Sequence, residues 1–201
     1  MISHPIAFER CVVSNRYNPN TTQMSATTHD AHPTDDVVVR PEVAADYARI
    51  REVNVAAFGG AEEAEIVEAL RRECAVLLSL VAVVDGIIVG HILFSRMSIE
   101  TSAGSLAAVA LAPLAVMPGQ QRRGIGGKLI TTGLDDLRAM GERIVLVVGH
   151  AEYYPRSGFS TARARALESP FPVDVFMALE LSPGALDGIH GRVKYPAAFG
   201  V

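Results

Sequence analysis

The sequence predicts a single α/β (α+β) domain built around a mostly antiparallel sheet. Strand-like and helix-like segments follow one another in the order strand, two helices, three strands, helix, strand, helix, strand. The pair Asp85-Gly86 joins two strand-like runs, a pattern typical of an antiparallel hairpin. The 201 residues, 49% of them hydrophobic, suffice for one well-buried core.

The first 36 residues differ in composition from the rest of the chain. They are polar and rich in turn-forming residues, with Asn18-Pro19-Asn20 as one example. Such a segment buries too little apolar surface to offset the entropy that is lost on ordering. We therefore predict a flexible leader over residues 1–36 and a folded domain over residues 37–201, with a C-terminal tail from about residue 182.

Three elements precede the hairpin. Residues 37–40 are typical of a short strand, which Pro41 ends. Apolar residues then recur at a helical period over residues 43–58, and Gly59-Gly60 ends this helix. A second helix follows, and its acidic start and basic end suit the helix dipole.

The hairpin and the elements after it complete the sheet. Pro113 cannot donate a ladder hydrogen bond, so the strand that contains it should bulge or splay there. In chain order, we predict strands over 77–84, 87–94 and 106–117, a helix from Ile125 to about Gly141, a strand over 144–148, a short helix over 151–157 and a strand over 173–181.

One glycine-rich loop, residues 118–127, separates a predicted strand from a predicted helix. Backbone N–H groups of such a loop can converge on one point, where the helix N-terminus adds partial positive charge. Gly124 and Gly126 allow a ligand to approach the backbone closely, and Arg122 and Arg123 can contact phosphate oxygens. The loop therefore predicts a pyrophosphate-binding site.

Two common nucleotide-binding loops do not fit this segment. Gly119 and Gly124 have the spacing of a Walker loop, but Ile125 and Gly126 occupy the positions that require Lys and Ser or Thr. A dinucleotide fingerprint requires a third glycine where this chain has Leu129. Both classes are excluded.

Residues 121–126, Gln-Arg-Arg-Gly-Ile-Gly, resemble the signature of the GNAT superfamily of N-acetyltransferases. Residues 153–159, Tyr-Tyr-Pro-Arg-Ser-Gly-Phe, resemble the second motif of that family. The details are similar to the bacterial YhbS-like branch, and the resemblance covers roughly residues 37–181. It implies a mixed, mostly antiparallel central sheet with helices on both faces and a splayed pair of strands.

The resemblance also implies an activity, the transfer of the acetyl group from acetyl-CoA to a primary amine of a small molecule or peptide by direct attack. In the family, the splayed strand pairs with the pantetheine arm and the loop amides hold the pyrophosphate. The residues of this chain that would bind acetyl-CoA are Leu114, Ala115, Val116, Gln121, Arg122, Arg123, Gly124, Ile125, Gly126, Gly127 and Lys128.

The resemblance implies one catalytic acid and leaves the general base open. The tyrosine of the second motif, Tyr154, would protonate the departing thiolate. For the general base several candidates stay open. Glu152 and His150 follow the fifth strand, Glu100 ends the third, and a water relayed by backbone carbonyls would also serve.

Composition and charge limit the classes of partner and the cellular compartment that we expect. A net charge of −4 argues against a nucleic-acid-binding surface, and the longest apolar run, residues 75–84, is too short to span a bilayer. No His, Cys or acidic residues have a metal-site spacing, so no metal is expected. Two cysteines without a secretory signal favour a cytoplasmic protein. The resemblance also allows a homodimer.

Two functional alternatives remain open at this point. The fold could hold acyl-CoA as a regulatory ligand without turnover. The donor could also be another thioester, such as succinyl-CoA or propionyl-CoA.

Overall fold

The computed structural model describes residues 37–201, so the predicted leader lies outside the described residues. The elements are β1 (Val38–Pro41), α1 (Tyr47–Phe58), α2 (Glu62–Arg72), β2 (Val76–Val84), β3 (Ile87–Thr101), β4 (Gly104–Val116), α3 (Ile125–Ala139), β5 (Ile144–Val148), α4 (Thr161–Ala164), β6 (Leu167–Glu168), β7 (Phe176–Glu180) and β8 (Gly191–Lys194).

The strands form one mixed sheet. Its main path runs β1-β2-β3-β4-β5-β7, and every neighbouring pair is antiparallel except β4 and β5, which are parallel. Strand β8 pairs with β3, and β6 pairs with β8. The predicted fold class is confirmed. Within residues 37–201, no helix is long and apolar enough to cross a membrane.

The turn between β2 and β3 forms as predicted. Asp85 and Gly86 both have positive φ, 50° and 76°. A two-residue turn with positive φ at both positions matches the right-handed twist of the strands that it joins. The Asp-Gly pair therefore fixes the register of the central hairpin.

Helices cover both faces of the sheet because side chains alternate along the strands. Leu80 and Ile92 pack in one cluster with the apolar side of α3. Their neighbours Val81 and Leu93 point to the opposite face, where they pack against α1 and α2.

Strand β4 bulges at Pro113, as predicted. Ile92 of β3 lies opposite Leu114 and Phe94 lies opposite Leu111, so two residues of β4 face one residue of β3. On its other side, β4 pairs with β5 only over residues 109–111. The two parallel strands therefore part after Leu111 and leave the end of β4 open on that edge.

The C-terminal region differs from the prediction. The segment after residue 182 contains β8, whose Val193 is buried and lies opposite Ile99 of β3. The predicted helix over 151–157 is a short 3-10 turn, Tyr154–Ser157, and the strand predicted over 173–181 is limited to β7. Strand β8 has four residues and one buried side chain, so its alternation of buried and exposed residues is too short to recognise in the sequence.

A chain of polar side chains is buried between the sheet and the first two helices. His91 is fully buried, and its Nδ1 lies 3.1 Å from Asn54 Nδ2, which also donates to the carbonyl of Ile50. Because the amide nitrogen can only donate, Nδ1 accepts and the ring proton is on Nε2. That proton faces Ser79 Oγ at 3.0 Å, and Ser79 in turn donates to Glu42 at 2.6 Å.

Burial makes His91 a source of acid sensitivity. Desolvation, with a contribution from the charge of Arg71, lowers the pKa of His91 from 6.5 to about 3. Below pH 6.5 the unfolded chain therefore binds a proton that the folded chain does not. The free energy of unfolding should fall by about 1.4 kcal/mol per pH unit as the pH decreases from about 6.5 toward 4.

Denaturant unfolding at several pH values measures this slope. In the variant His91→Gln, the free energy of unfolding should no longer show the part of the pH dependence that corresponds to uptake of about one proton. The variant His190→Gln, at an exposed position, should retain it. An unchanged slope in His91→Gln would show that another group takes up the proton.

Candidate active site

The parting of β4 from β5 opens a cleft of about 960 Å³. Its walls come from the end of β4, the loop and first turn of α3, the end of β5, the 3-10 turn after it, and the junction of α1 with α2. The cleft therefore joins the glycine-rich loop to the tyrosine motif that lies about 30 residues later in the sequence.

The free edge of β4 presents backbone groups to this cleft. Met117 N donates to the Val89 carbonyl. Because hydrogen bonding to one neighbour alternates along a strand, the residues at alternate positions before Met117, such as Ala115, also bond to β3. The N–H and C=O groups of Leu114 and Val116 consequently point away from β3 into the gap. Ala115 is buried, and its backbone groups face β3. The edge can accept an extended ligand as an added strand.

Part of this edge has a partner within the chain. Gln121 Nε2 donates to the Val116 carbonyl over 3.0 Å. The carbonyl has a second lone pair, so the contact leaves one acceptor position. Gln121 thereby ties the loop to the open strand.

The loop and the first turn of α3 leave a run of backbone donors unused. In the part of the chain that the structure describes, no protein acceptor receives the N–H groups of residues 122–127. The first helical bond in this region runs from Lys128 N to the Gly124 carbonyl. Free amides at a helix start form a site for a negatively charged group.

Two backbone positions give the loop its shape. Gly124 and Arg122 adopt the left-handed conformation, with φ of 80° and 61°. At Gly126 a side chain would collide with the hydroxyl of Tyr153. Gly126 therefore permits close contact between the aromatic motif and the start of α3.

The cationic side chains predicted for this site lie in different places. The guanidinium of Arg122 lines the cleft and has no hydrogen-bond partner among residues 37–201. Arg123 bonds to the side chain of Gln120 and does not line the cleft. The ammonium of Lys128 donates to the Val37 carbonyl over 2.5 Å, and Lys128 is also outside the lining. Of the three, the structure brings only Arg122 into the cleft.

Tyr154 lies in the cleft with its ring buried. Its ring packs edge-on against Tyr153 and Phe159, at centroid distances of 5.3 and 5.8 Å. Gly149 provides the room, because a side chain there would collide with the Tyr154 ring. Desolvation, and next the neighbouring Tyr153, raises the pKa of Tyr154 to about 12. The hydroxyl therefore keeps its proton at neutral pH.

The three carboxylate or imidazole candidates for the base separate in space. His150 is exposed and lines the cleft, whereas Glu152 is exposed and does not. Glu100 lies opposite Ser105, six residues from Leu111 along β4, or about 20 Å at strand spacing. Only His150 of these candidates faces the cleft.

Several residues that line the cleft are not among the site residues predicted from the sequence, and Phe58, Glu63 and Arg156 are three of them. A signal for Glu63 exists, because it precedes the buried Val67 and Leu70 by four and seven residues. These spacings place Glu63 on the apolar stripe of α2, where a carboxylate is unusual.

No group of three or more His, Cys, Asp or Glu side chains within residues 37–201 is arranged to hold a metal ion. The chemistry available to the cleft is that of backbone donors, one buried tyrosine and a few unpaired charges. Such a set suits the binding of a phosphate-bearing ligand and proton transfer beside it.

Comparisons with known proteins agree with this geometry. The family model described as an acetyltransferase (GNAT) domain matches residues 38–162. The uncharacterized N-acetyltransferase YjhQ of Escherichia coli K12 is 44% identical over 131 residues, which cover 64% of this chain and 72% of that protein. The E. coli K12 protein YhbS is 31% identical over 166 residues, covering 81% and 98%.

Two solved structures have the same fold. The crystal structure of E. coli YhbS in complex with CoA has a TM-score of 0.78 at 30% identity and covers 88% of this chain and 97% of that one. A GNAT acetyltransferase from Brucella melitensis in complex with acetyl-CoA has a TM-score of 0.69 at 39% identity, covering 81% and 97%. The chain belongs to the GNAT family of acetyltransferases.

Proposed function

We propose that this protein transfers the acetyl group of acetyl-CoA to a primary amine of a small molecule or peptide. The observation that carries the proposal is the row of unused N–H groups at residues 122–127. All of these residues except Arg123 line the cleft beside the open edge of β4. A pyrophosphate fits such a row, and an amide-bearing chain fits the strand edge. Coenzyme A contains both. The matching relatives with bound CoA and acetyl-CoA support this choice of ligand.

The residues of the cleft would have different roles that follow from their positions. The amides of residues 122–127, with Arg122, would hold the pyrophosphate. The outward backbone groups of Leu114 and Val116 would align the pantetheine arm, and a β4 amide would donate to the thioester oxygen as charge develops there. Ala115, Arg123 and Lys128 would contribute by supporting this frame, because their polar groups have partners elsewhere.

Tyr154 would supply the proton that the sulfur needs. A neutral amine attacks the thioester carbon, the carbon–sulfur bond breaks, and the phenol donates to the thiolate. The proton that the amine loses would pass to a base, for which His150 and a water are the candidates at the cleft. A phenol with a pKa of about 12 is a weak acid toward a thiol of ordinary pKa. A thiol that leaves beside the buried ring would also have its pKa raised by desolvation, which would make the mismatch smaller than in water.

Binding of acetyl-CoA and of a truncated donor tests the proposal. Acetyl-CoA should raise the melting temperature, and S-acetyl-pantetheine, which lacks the pyrophosphate, should bind at least about 100-fold more weakly. Free thiol should then appear when amines are added. Equal affinity for the two donors would contradict the proposed cradle, and binding without thiol release for any amine would identify a binding module instead.

A further inference from the structure

The cleft is lined by residues from both faces of the sheet. The free amides lie on the α3 side, because α3 packs in the cluster that holds Leu80 and Ile92. Phe58 and Glu63 come from α1 and α2, which pack on the opposite face. A donor held on the α3 side therefore leaves the α1–α2 side of the cleft for a second molecule.

Glu63 is the notable charge on that second side. Its side chain is half-buried, and it has neither a hydrogen bond nor an ion pair with any residue in 37–201. It is also the one carboxylate among the described residues that line the cleft. A cationic ligand in the cleft would give this carboxylate the charged partner that residues 37–201 do not provide.

Neighbouring acidic residues do not share this setting. Glu62 and Glu65 belong to the same turn of α2, but both are exposed and outside the cleft lining. They behave as an ordinary solvated face of the helix. Glu63 therefore differs from them by orientation, since it shares the stripe of Val67 and Leu70.

Phe58 gives this side of the cleft an apolar surface. It ends α1, lines the cleft and keeps 46% of its surface exposed. An aromatic ring and a carboxylate that line the same cleft suit a ligand with an apolar body and an ammonium group, because the ring can cover the apolar body and the carboxylate can pair with the ammonium.

The cationic side chains of the cleft are contributed by other elements. Arg122 belongs to the loop before α3, and Arg156 belongs to the segment after β5. The lining thus places its positive charges with the phosphate cradle and the tyrosine motif, and its negative charge at the α1–α2 junction. This distribution suits an anionic donor and a cationic acceptor in one cleft.

We propose that Glu63 and Phe58 form the acceptor subsite, and that this subsite selects primary amines that carry a positive charge and an apolar body. The inference rests on the proposed acetyl transfer and specifies its acceptor. Glu63 is a specificity-determining residue in this proposal, because it pairs with the ammonium form of the incoming amine. The ammonium then passes a proton to water or to His150 before its nitrogen attacks the thioester.

Rates with amines of different charge test the selection. With acetyl-CoA as donor, phenethylamine and tryptamine should have a kcat/KM at least about 30-fold above that of glutamate, whose side chain is anionic. The variant Glu63→Gln should lower kcat/KM for phenethylamine about 30-fold, mainly through KM, and change the rate with aniline, an amine neutral at pH 7, by less than about threefold.

The matched control is Glu62→Gln, which removes the same charge from the exposed neighbouring position and should leave these rates unchanged. The dissociation constant for acetyl-CoA should stay within about twofold in both variants, which separates loss of the acceptor subsite from loss of the donor site. Phe58→Ala should lower kcat/KM for phenethylamine more than kcat/KM for ethanolamine, which lacks the ring.

Three results would overturn the inference while leaving the proposed donor site intact. They are acetyl-CoA binding without turnover of any cationic amine, a preference for glutamate over phenethylamine, and equal losses for phenethylamine and aniline in Glu63→Gln. Failure of the wild-type protein to bind acetyl-CoA would instead reject the proposed function itself.

Discussion

The substitution Gly126→Val should lower the affinity for coenzyme A at least about 100-fold. A side chain at this position collides with the Tyr153 hydroxyl, so a valine should force the Tyr153 ring and the start of α3 apart and displace the loop amides. Loss of two charge-assisted hydrogen bonds from the amides would cost about 3–6 kcal/mol, which exceeds a hundredfold change. Titration calorimetry with CoA measures the effect directly.

The control for this experiment comes from the same loop. At Gly119 a side chain meets nothing within 4 Å, and this residue does not line the cleft. Gly119→Ala should therefore bind CoA as the wild type does. If Gly126→Val keeps wild-type affinity with an unchanged melting temperature, the amides at the start of α3 do not hold the ligand.

A double substitution identifies the cause of the loss. In Gly126→Ala the added methyl group meets the Tyr153 hydroxyl, but it lies 3.6 Å from the ring carbon that carries this hydroxyl, an ordinary contact distance. Removal of the hydroxyl in Tyr153→Phe should thus recover much of the affinity that Gly126→Ala loses. Additive losses would argue that the two residues act independently.

Features that depend on short stretches of sequence were predictable. The turn at Asp85-Gly86 and the bulge at Pro113 each follow from one backbone property, a positive φ or a missing N–H. The loop at 118–127 was predictable for the same reason, since glycines before a helix expose its first amides. These local rules fix the side of the cleft that holds the unused amides.

Features that depend on distant partners were not predictable. Strand β8 forms because β3 extends beyond β2 and offers a free edge, which no pattern within residues 191–194 indicates. The buried chain through His91 unites residues of α1, β2 and β3 with Glu42, so each of them looks like an isolated polar residue in the sequence. Glu63 had a periodic signal, but its charge made it resemble the solvated residues beside it.

Tyr154→Phe should reduce kcat about 100-fold and leave the dissociation constant for acetyl-CoA within about twofold, because the ring and its packing remain while the proton donor is lost. Steady-state rates and calorimetry on the same preparation separate the two quantities. The control is Tyr195→Phe, because Tyr195 is another partly buried tyrosine, with a pKa raised by desolvation, and lies outside the cleft.

The pH dependence of kcat gives Tyr154 a second test with a definite sign. In the proposed mechanism the protonated phenol is the active form, so we expect the rate to be lost only as the pH rises through the pKa of about 12. A tyrosine of ordinary pKa would lose activity around pH 10, whereas kcat here should stay level from about pH 8 to 10. An unchanged kcat in Tyr154→Phe would show that the thiolate obtains its proton from water. A decline near pH 10 that persists in that variant would assign the titration to another group, because the variant has no hydroxyl left to ionise at position 154.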